Sequence, residues 1–318
     1  MVSAVCTLFE GHYHYGVAAL VNSLFGAGYK GDVYAGYRGS LPAWAAVSKE
    51  SPDLRWPSSR SMLIADKLTL HFLPLDTPYH LTNYKPDFML ALWKNVIPEA
   101  EALFYFDPDI IATSPWLCFE QWVTCGIALC EDVNSPMAEF HPTRVSWRRY
   151  FQAKGVSICF KNNLYVNGGF VGVSINHQGF LSIWKHLQEA MAPAIGGLQN
   201  SFFTDTGTEK PFTPFAKTDQ DALNATVEAW TEEVSIVGKE GMAFIPGLPL
   251  MAHALGAPKP WQQTAVVQMV MGRPPRMADR LYWRSSNYPI KSQSYFLVKR
   301  KIALLKIAAL IGRFYRRH

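Results

Sequence analysis

The stretch that most constrains this chain is Ala102-Leu103-Phe104-Tyr105-Phe106-Asp107-Pro108-Asp109-Ile110-Ile111-Ala112-Thr113. Its first five residues are apolar or aromatic without alternation, the pattern of a strand inside a parallel sheet, covered on both faces. Such a strand points to an open α/β sheet. Pro108 has no N–H and a fixed φ, so the ladder must stop there. Asp107 and Asp109 thus fall at a strand's carboxyl end, where open α/β sheets bind ligands. Two carboxylates this close repel unless a cation or a shared proton compensates, and hard oxygen ligands suit Mg²⁺ or Mn²⁺. A solvated turn reads the same way when these residues are taken alone.

The chain has 318 residues, enough for one large α/β domain with an appendage or for two domains. Hydrophobic residues make up 49% and charged residues 17%, which excludes a disordered chain. No zinc spacing joins the cysteines (Cys6, Cys118, Cys125, Cys130, Cys159), so reduced thiols in a cytoplasmic protein are expected. The first residues lack a basic region followed by an apolar one, and no apolar run reaches the ~18 residues of a spanning helix, so neither a signal peptide nor a membrane span is expected.

Ser3–Phe9 reads as a first strand, followed by the aromatic loop Glu10–Gly16 and a helix over Val17–Phe25. Tyr13 or Tyr15 could stack on a base; the loop is no G-x-G-x-x-G, so NAD is not indicated. Residues 41–78 read as irregular, with a strand at Leu68–Leu73. A helix over Asn83–Trp93 carries Pro86 in its first turn and Lys85 at its N-terminus, where anions collect. His141–Lys154, with Arg144 and Arg148, reads as a solvated basic helix. Asn167 precedes Gly168 and Gly169 in an apolar strand pattern, which signals close backbone approach or a bulge and offers an amide to a ligand. Thr218-Asp219-Gln220-Asp221 opens a helix with Thr218 as N-cap, and three further polar side chains exceed what a cap requires. His253 can be a metal ligand or structural. Gly256 permits close backbone approach, and Lys259 stands between two prolines, suited to a phosphate.

Taken together, these segments resemble the retaining GT-A glycosyltransferases of family 8, which includes glycogenin and the bacterial lipooligosaccharide galactosyltransferases. The motifs run in the family's order: the loop after the first strand, Asp107-Pro108-Asp109, Tyr165-Val166-Asn167-Gly168-Gly169, Asp219-Gln220-Asp221-Ala222-Leu223-Asn224 and His253-x-x-Gly256-x-x-Lys259-Pro260-Trp261. The resemblance covers roughly residues 3 to 262. It implies a GT-A (Rossmann-like) α/β fold, with a mixed, mostly parallel sheet flanked by helices and a basic C-terminal extension. Residues 1–265 would be the catalytic domain and 266–318 a membrane-surface or acceptor segment.

The activity implied is that of a hexosyltransferase moving sugar from a UDP-sugar, with Mn²⁺ (Mg²⁺ as the alternative) and retention of configuration. By the resemblance, Asp107, Asp109 and His253 would hold the metal, and Gly256 and Lys259 the phosphates. Glu10, Tyr13 and Tyr15 would lie at the nucleoside. Asn167, Gly168, Lys85 and Asp221 would lie around the donor sugar, with Asp219 and Gln220 as the catalytic pair. An amide is a poor nucleophile, so Gln220 favours same-face substitution over a covalent intermediate. The chain departs from the family where the acidic pair after the first strand is replaced by Leu8-Phe9-Glu10. Asn83-Tyr84-Lys85-Pro86 stands where the family has Tyr-x-Arg. The competing readings are an inverting transferase with Asp219 or Asp221 as base, and a catalytically silent nucleotide-sugar binder at a membrane.

Charge is distributed unevenly. Ten Lys or Arg and no acid lie between Arg280 and His318, while the residues before them carry 20 basic against 25 acidic side chains. Ile302–Ile311 is apolar except for Lys306, too short to span a bilayer but of a kind that lies on one. The expected partners are therefore a glycan or lipid-linked acceptor and an anionic membrane surface, with the protein peripheral at the inner face of the membrane. No nucleic-acid partner is expected.

Overall fold

A computed structural model describes residues 1–201, 212, 214–263, 267 and 275–311. The chain begins with β1 (Ser3–Glu10), α1 (His14–Gly26), β2 (Gly31–Arg38), β3 (Lys49–Glu50), β4 (Arg60–Ala65) and β5 (Leu68–Pro74). It continues through α2 (Lys85–Asn95), β6 (Ala102–Phe106), β7 (Ile110–Ala112), α3 (Trp116–Val123), β8 (Ile127–Cys130) and α4 (Pro142–Ala153). Then come β9 (Phe170–Ser174), α5 (Gly179–Met191), α6 (Thr218–Ala229), β10 (Val234–Val237) and β11 (Met251–His253), closed by α7 (Met277–Ser285) and α8 (Tyr295–Ile311).

Nine strands form one sheet in the order β10-β8-β9-β6-β1-β2-β5-β4-β3, and β11 pairs with β7 in a small second sheet. The β1–β2, β1–β6, β2–β5 and β8–β10 pairings are parallel; only β9 and β4 run against the other strands. This is the mixed, mostly parallel sheet of the GT-A, Rossmann-like fold. β6 explains itself: every residue in it is buried, and successive side chains enter opposite cores. Leu103 and Tyr105 join Phe88, Trp147, Trp184 and Leu223 from α2, α4, α5 and α6. Phe104 and Phe106 join Val17, Leu20 and Phe119 from α1 and α3.

Three segments differ from the sequence reading. Arg60–Ala65, expected to be irregular, is β4; it lies half-exposed near the sheet's margin, so it lacks the apolar alternation that announces a strand. The α4 helix is not a solvated basic face. Arg144 is buried against Glu228 of α6, with further bonds to Asn162 O (3.1 Å) and Leu164 O (2.9 Å), and Arg148 Nε reaches the same carboxylate at 2.7 Å. At the start of α6 the N-cap is Lys217, and the Thr218 hydroxyl sits between Asn83 Oδ1 (2.9 Å) and Ser201 O (2.6 Å).

The basic C-terminal region folds back on the body. Asn22 of α1 bonds Ser285 O (2.6 Å), Ile290 O (2.9 Å) and Ile290 N (2.7 Å). Val298 and Leu305 of α8 pack with Tyr282 and Trp283 of α7 and with Ala19 and Ile111. The boundary expected at residue 265 lies outside the described residues, as do Arg313, Arg316 and Arg317 of the basic count. No helix among the described residues is long and apolar enough to cross a membrane.

Candidate active site

The site forms where β6 ends. The Asp107 amide continues the β6–β9 ladder by donating to Gly169 O (2.7 Å), and Pro108 then ends it. The chain turns, with Ile110 N bonded to Asp107 O (3.0 Å), into β7, whose Ile110 stands opposite His253 of antiparallel β11. That register sets the imidazole beside the carboxylate: His253 Nε2 is 3.3 Å from Asp109 Oδ1. Asp107, Asp109 and His253 each offer a ligand atom, and these lie within 4.8 Å of one another. Two carboxylates and an imidazole are a donor set for a divalent metal. His253 Nδ1 is buried without a hydrogen-bond partner among the described residues, and a donor set with an unclaimed nitrogen fits such an ion.

Two lysines neutralise the carboxylates. Lys85, expected beside the substrate, is fully buried, and its ammonium contacts Gly168 O (2.8 Å), Asp219 Oδ2 (2.8 Å) and Asp107 Oδ1 (3.2 Å). Burial opposes its charge, but Asp107 and Asp219 outweigh burial and hold the ammonium above its usual range. Lys259 bonds Asp109 Oδ2 and Ala254 O (3.0 Å). Burial alone would raise the Asp109 carboxyl, yet His253 and Lys259 hold it well below the usual carboxylate range. Tyr105 Oη donates to Asp107 Oδ1 at 2.8 Å. The tyrosine shares the aspartate's face of the strand, two residues before it, so period-two spacing could have found it.

The segment 165–169 ahead of β9 and α6 meet the site from the other side. Asn224 fixes them together by bonding both Val166 N (2.8 Å) and Val166 O (2.9 Å). The Gln220 carbonyl oxygen accepts from Gly168 N (3.1 Å). Asn167 is buried, with Nδ2 donating to Asp132 Oδ2 (2.6 Å) and Oδ1 accepting from Gly169 N (2.9 Å). Asp132 follows β8 at its carboxyl end, so its position was legible although the residue was not singled out. Asp221 is turned away from solvent: Tyr165 Oη (2.6 Å) and Lys217 N (2.9 Å) donate to its two oxygens, and burial pushes its pKa up to about 6.

The two candidate stacking tyrosines separate. Tyr13 lies by the cluster, its ring 5.9 Å from Lys259 Nζ, packed between His12 and Trp261. Tyr15 packs instead with the aromatic cluster of α7 and α8. Glu10 is paired to Arg38 through Nε (3.1 Å) and Nη2 (2.7 Å). Gly256 adopts a φ of +70°, a left-handed turn that glycine takes without strain. Gly16 lets α1 touch the turn between the aspartates, because a Cβ there would stand 2.2 Å from Pro108 O.

No protein-family model matches the chain, and no curated protein matches it. Among solved structures, the chain is similar in fold to several described as glycosyltransferases. The galactosyltransferase LgtC, solved in complex with donor and acceptor sugar analogs, is similar over 94% of this chain and 99% of its own, with 12% identity and a TM-score of 0.51. GlyE of Streptococcus pneumoniae TIGR4 is 14% identical with a TM-score of 0.47; 94% of this chain spans 62% of that protein. The bifunctional WbbM is 12% identical, at 94% of this chain and 51% of its own, with a TM-score of 0.47. At such identities the likeness to LgtC establishes the fold.

Proposed function

We propose that this protein is a metal-dependent glycosyltransferase that moves a hexose from a UDP-sugar to a glycan or glycolipid acceptor with retention of configuration. The observation that carries this reading is the Asp107, Asp109 and His253 cluster, with Lys259 upon it, at the carboxyl end of a central strand of a GT-A sheet. Those three residues would hold Mn²⁺, since a nitrogen ligand among oxygens suits it better than Mg²⁺. When bound, the cation supplies charge neutralisation for a diphosphate leaving group.

The chain's own residues do the remaining work. Lys259 would add positive charge for the phosphates, and Tyr13, its ring 5.9 Å from that ammonium, would stack on the base. Lys85 holds Asp219 and Asp107 in fixed relation, so the sugar side and the metal side of the site move as one. Asp219, Asn167 and Gly168 would lie on the donor-sugar side of the site. The Gln220 oxygen is occupied by a backbone N–H, which supports same-face substitution, with the amide positioning the sugar, over attack by Gln220. Asp221, buried with both oxygens engaged, is poorly placed to serve as the base of an inverting enzyme.

The outer face of α8 supports an acceptor at a membrane surface. Phe296, Ile307 and Leu310 are 77%, 53% and 56% exposed, interleaved with exposed Lys299, Arg300 and Lys306. The test of the whole reading is a panel of UDP-sugars scored for hydrolysis with and without Mn²⁺, which needs no acceptor. Metal-dependent release of UDP from at least one sugar is expected, and it should fall at least ~100-fold in Asp107→Ala, Asp109→Ala and His253→Ala. Near-normal turnover in all three would remove the assignment.

A further inference from the structure

The two lysines of the site are not equivalent. Lys85 rises from α2, is 1% exposed, and has an oxygen for each of its three ammonium hydrogens. Lys259 stands on the segment after β11, its side chain is 13% exposed, and among the described residues it has two oxygen partners, Asp109 Oδ2 and Ala254 O. Lys85 is therefore fixed, whereas Lys259 keeps one hydrogen and a flexible four-carbon stem with which to reach another anion.

The charges give that difference a consequence. Asp107, Asp109 and Asp219 bring three carboxylates, and Lys85 and Lys259 bring two ammonium groups. A divalent cation entering alone meets one net negative charge, and it also meets Lys259 on an oxygen of its own ligand, a like-charge contact. A diphosphate entering with the cation brings new negative charge and an alternative anion for Lys259.

We propose that Lys259 is an exchangeable counter-ion of Asp109, which leaves that carboxylate for the diphosphate and so couples metal binding to nucleotide binding. This rests on the metal and nucleotide reading above. In the protein without nucleotide, Lys259 holds the second aspartate and keeps the site from taking a divalent cation tightly. The nucleotide draws the ammonium away and completes the metal's ligand set, so cation and diphosphate enter cooperatively.

The experiment is Mn²⁺ binding to the full chain, followed by the electron paramagnetic resonance signal of free Mn²⁺, with and without UDP. In the wild type UDP should tighten Mn²⁺ binding by about tenfold or more. Lys259→Met should bind Mn²⁺ alone about tenfold more tightly than the wild type, and UDP should then add little. Lys259→Gln, which keeps a hydrogen bond to Asp109 without the charge, should behave as Lys259→Met does; thermal unfolding confirms that both variants fold. If both variants bind Mn²⁺ alone no more tightly than the wild type, or if UDP tightens binding in them as strongly, the exchange is wrong while the metal site stands. If Mn²⁺ binds neither wild type nor variants, with or without UDP, the metal reading itself fails and the exchange with it.

Discussion

Gly169 backs directly onto the His253 imidazole: a Cβ at position 169 would lie 2.6 Å from Cε1 and 3.0 Å from Nδ1. The turn before β9, which carries Asn167, thus sets the position of a metal-ligand candidate on another element. Gly169→Ala should push the ring out of register with Asp109. The expected cost is about 1–3 kcal/mol in stability, as for overpacking generally, together with loss of most Mn²⁺ affinity. Calorimetric Mn²⁺ titration beside urea unfolding checks both, and an alanine variant with normal Mn²⁺ affinity would show that the contact is inconsequential.

The Arg144–Glu228–Arg148 group should be a main stabiliser of how α6 sits on α4. Glu228→Ala leaves Arg144 buried without a counter-ion, and breaking a buried pair from one side costs about 3–5 kcal/mol. Equilibrium urea unfolding measures it. A loss below ~1 kcal/mol, the value of an exposed pair, would contradict the buried role.

Asp221 predicts a pH dependence of stability. Its carboxyl titrates near 6 in the folded chain against an ordinary 3.8, so between those values the folded state holds a proton that the unfolded state has released. Stability from this group is fully present below pH ~4 and is lost as pH rises through about 6, by roughly 3 kcal/mol in all. Asp221→Asn removes the titration and keeps an acceptor for Tyr165. Unfolding free energies at pH 4.5 and 7.5 should therefore differ less in the variant than in the wild type; equal pH slopes would refute the shift.

For the membrane surface, the structure selects the experiment. Deleting α8 would also uncover Tyr282 and Trp283, so truncation would confound binding with folding. Lys299→Glu, Arg300→Glu and Lys306→Glu together change the exposed face alone. At about 1 kcal/mol per basic residue, removing three should weaken binding to anionic liposomes on the order of a hundredfold, with UDP-sugar hydrolysis retained. Unchanged co-sedimentation with anionic liposomes would rule the surface out.

The sequence alone determined the elements whose signal is local. Ala102–Phe106 reads as a two-faced buried strand, because its apolar and aromatic residues do not alternate with polar ones. Asp107 and Asp109 had to lie at its carboxyl end, because Pro108 stops a ladder. Only the tertiary structure decided the relations between distant segments. His253 reaches Asp109 through the β7–β11 register, and two three-residue strands carry too little pattern to announce their pairing. Arg144 read as solvated because its partner, Glu228, comes 84 residues later on another helix. Lys85 read as an anion site at a helix N-terminus, yet its stem carries the ammonium inward to Asp107, Asp219 and Gly168. A side chain's type is written in the sequence; whether its charge faces water, a ligand or a buried carboxylate depends on which backbone passes within about 3 Å of it, and that is set by packing.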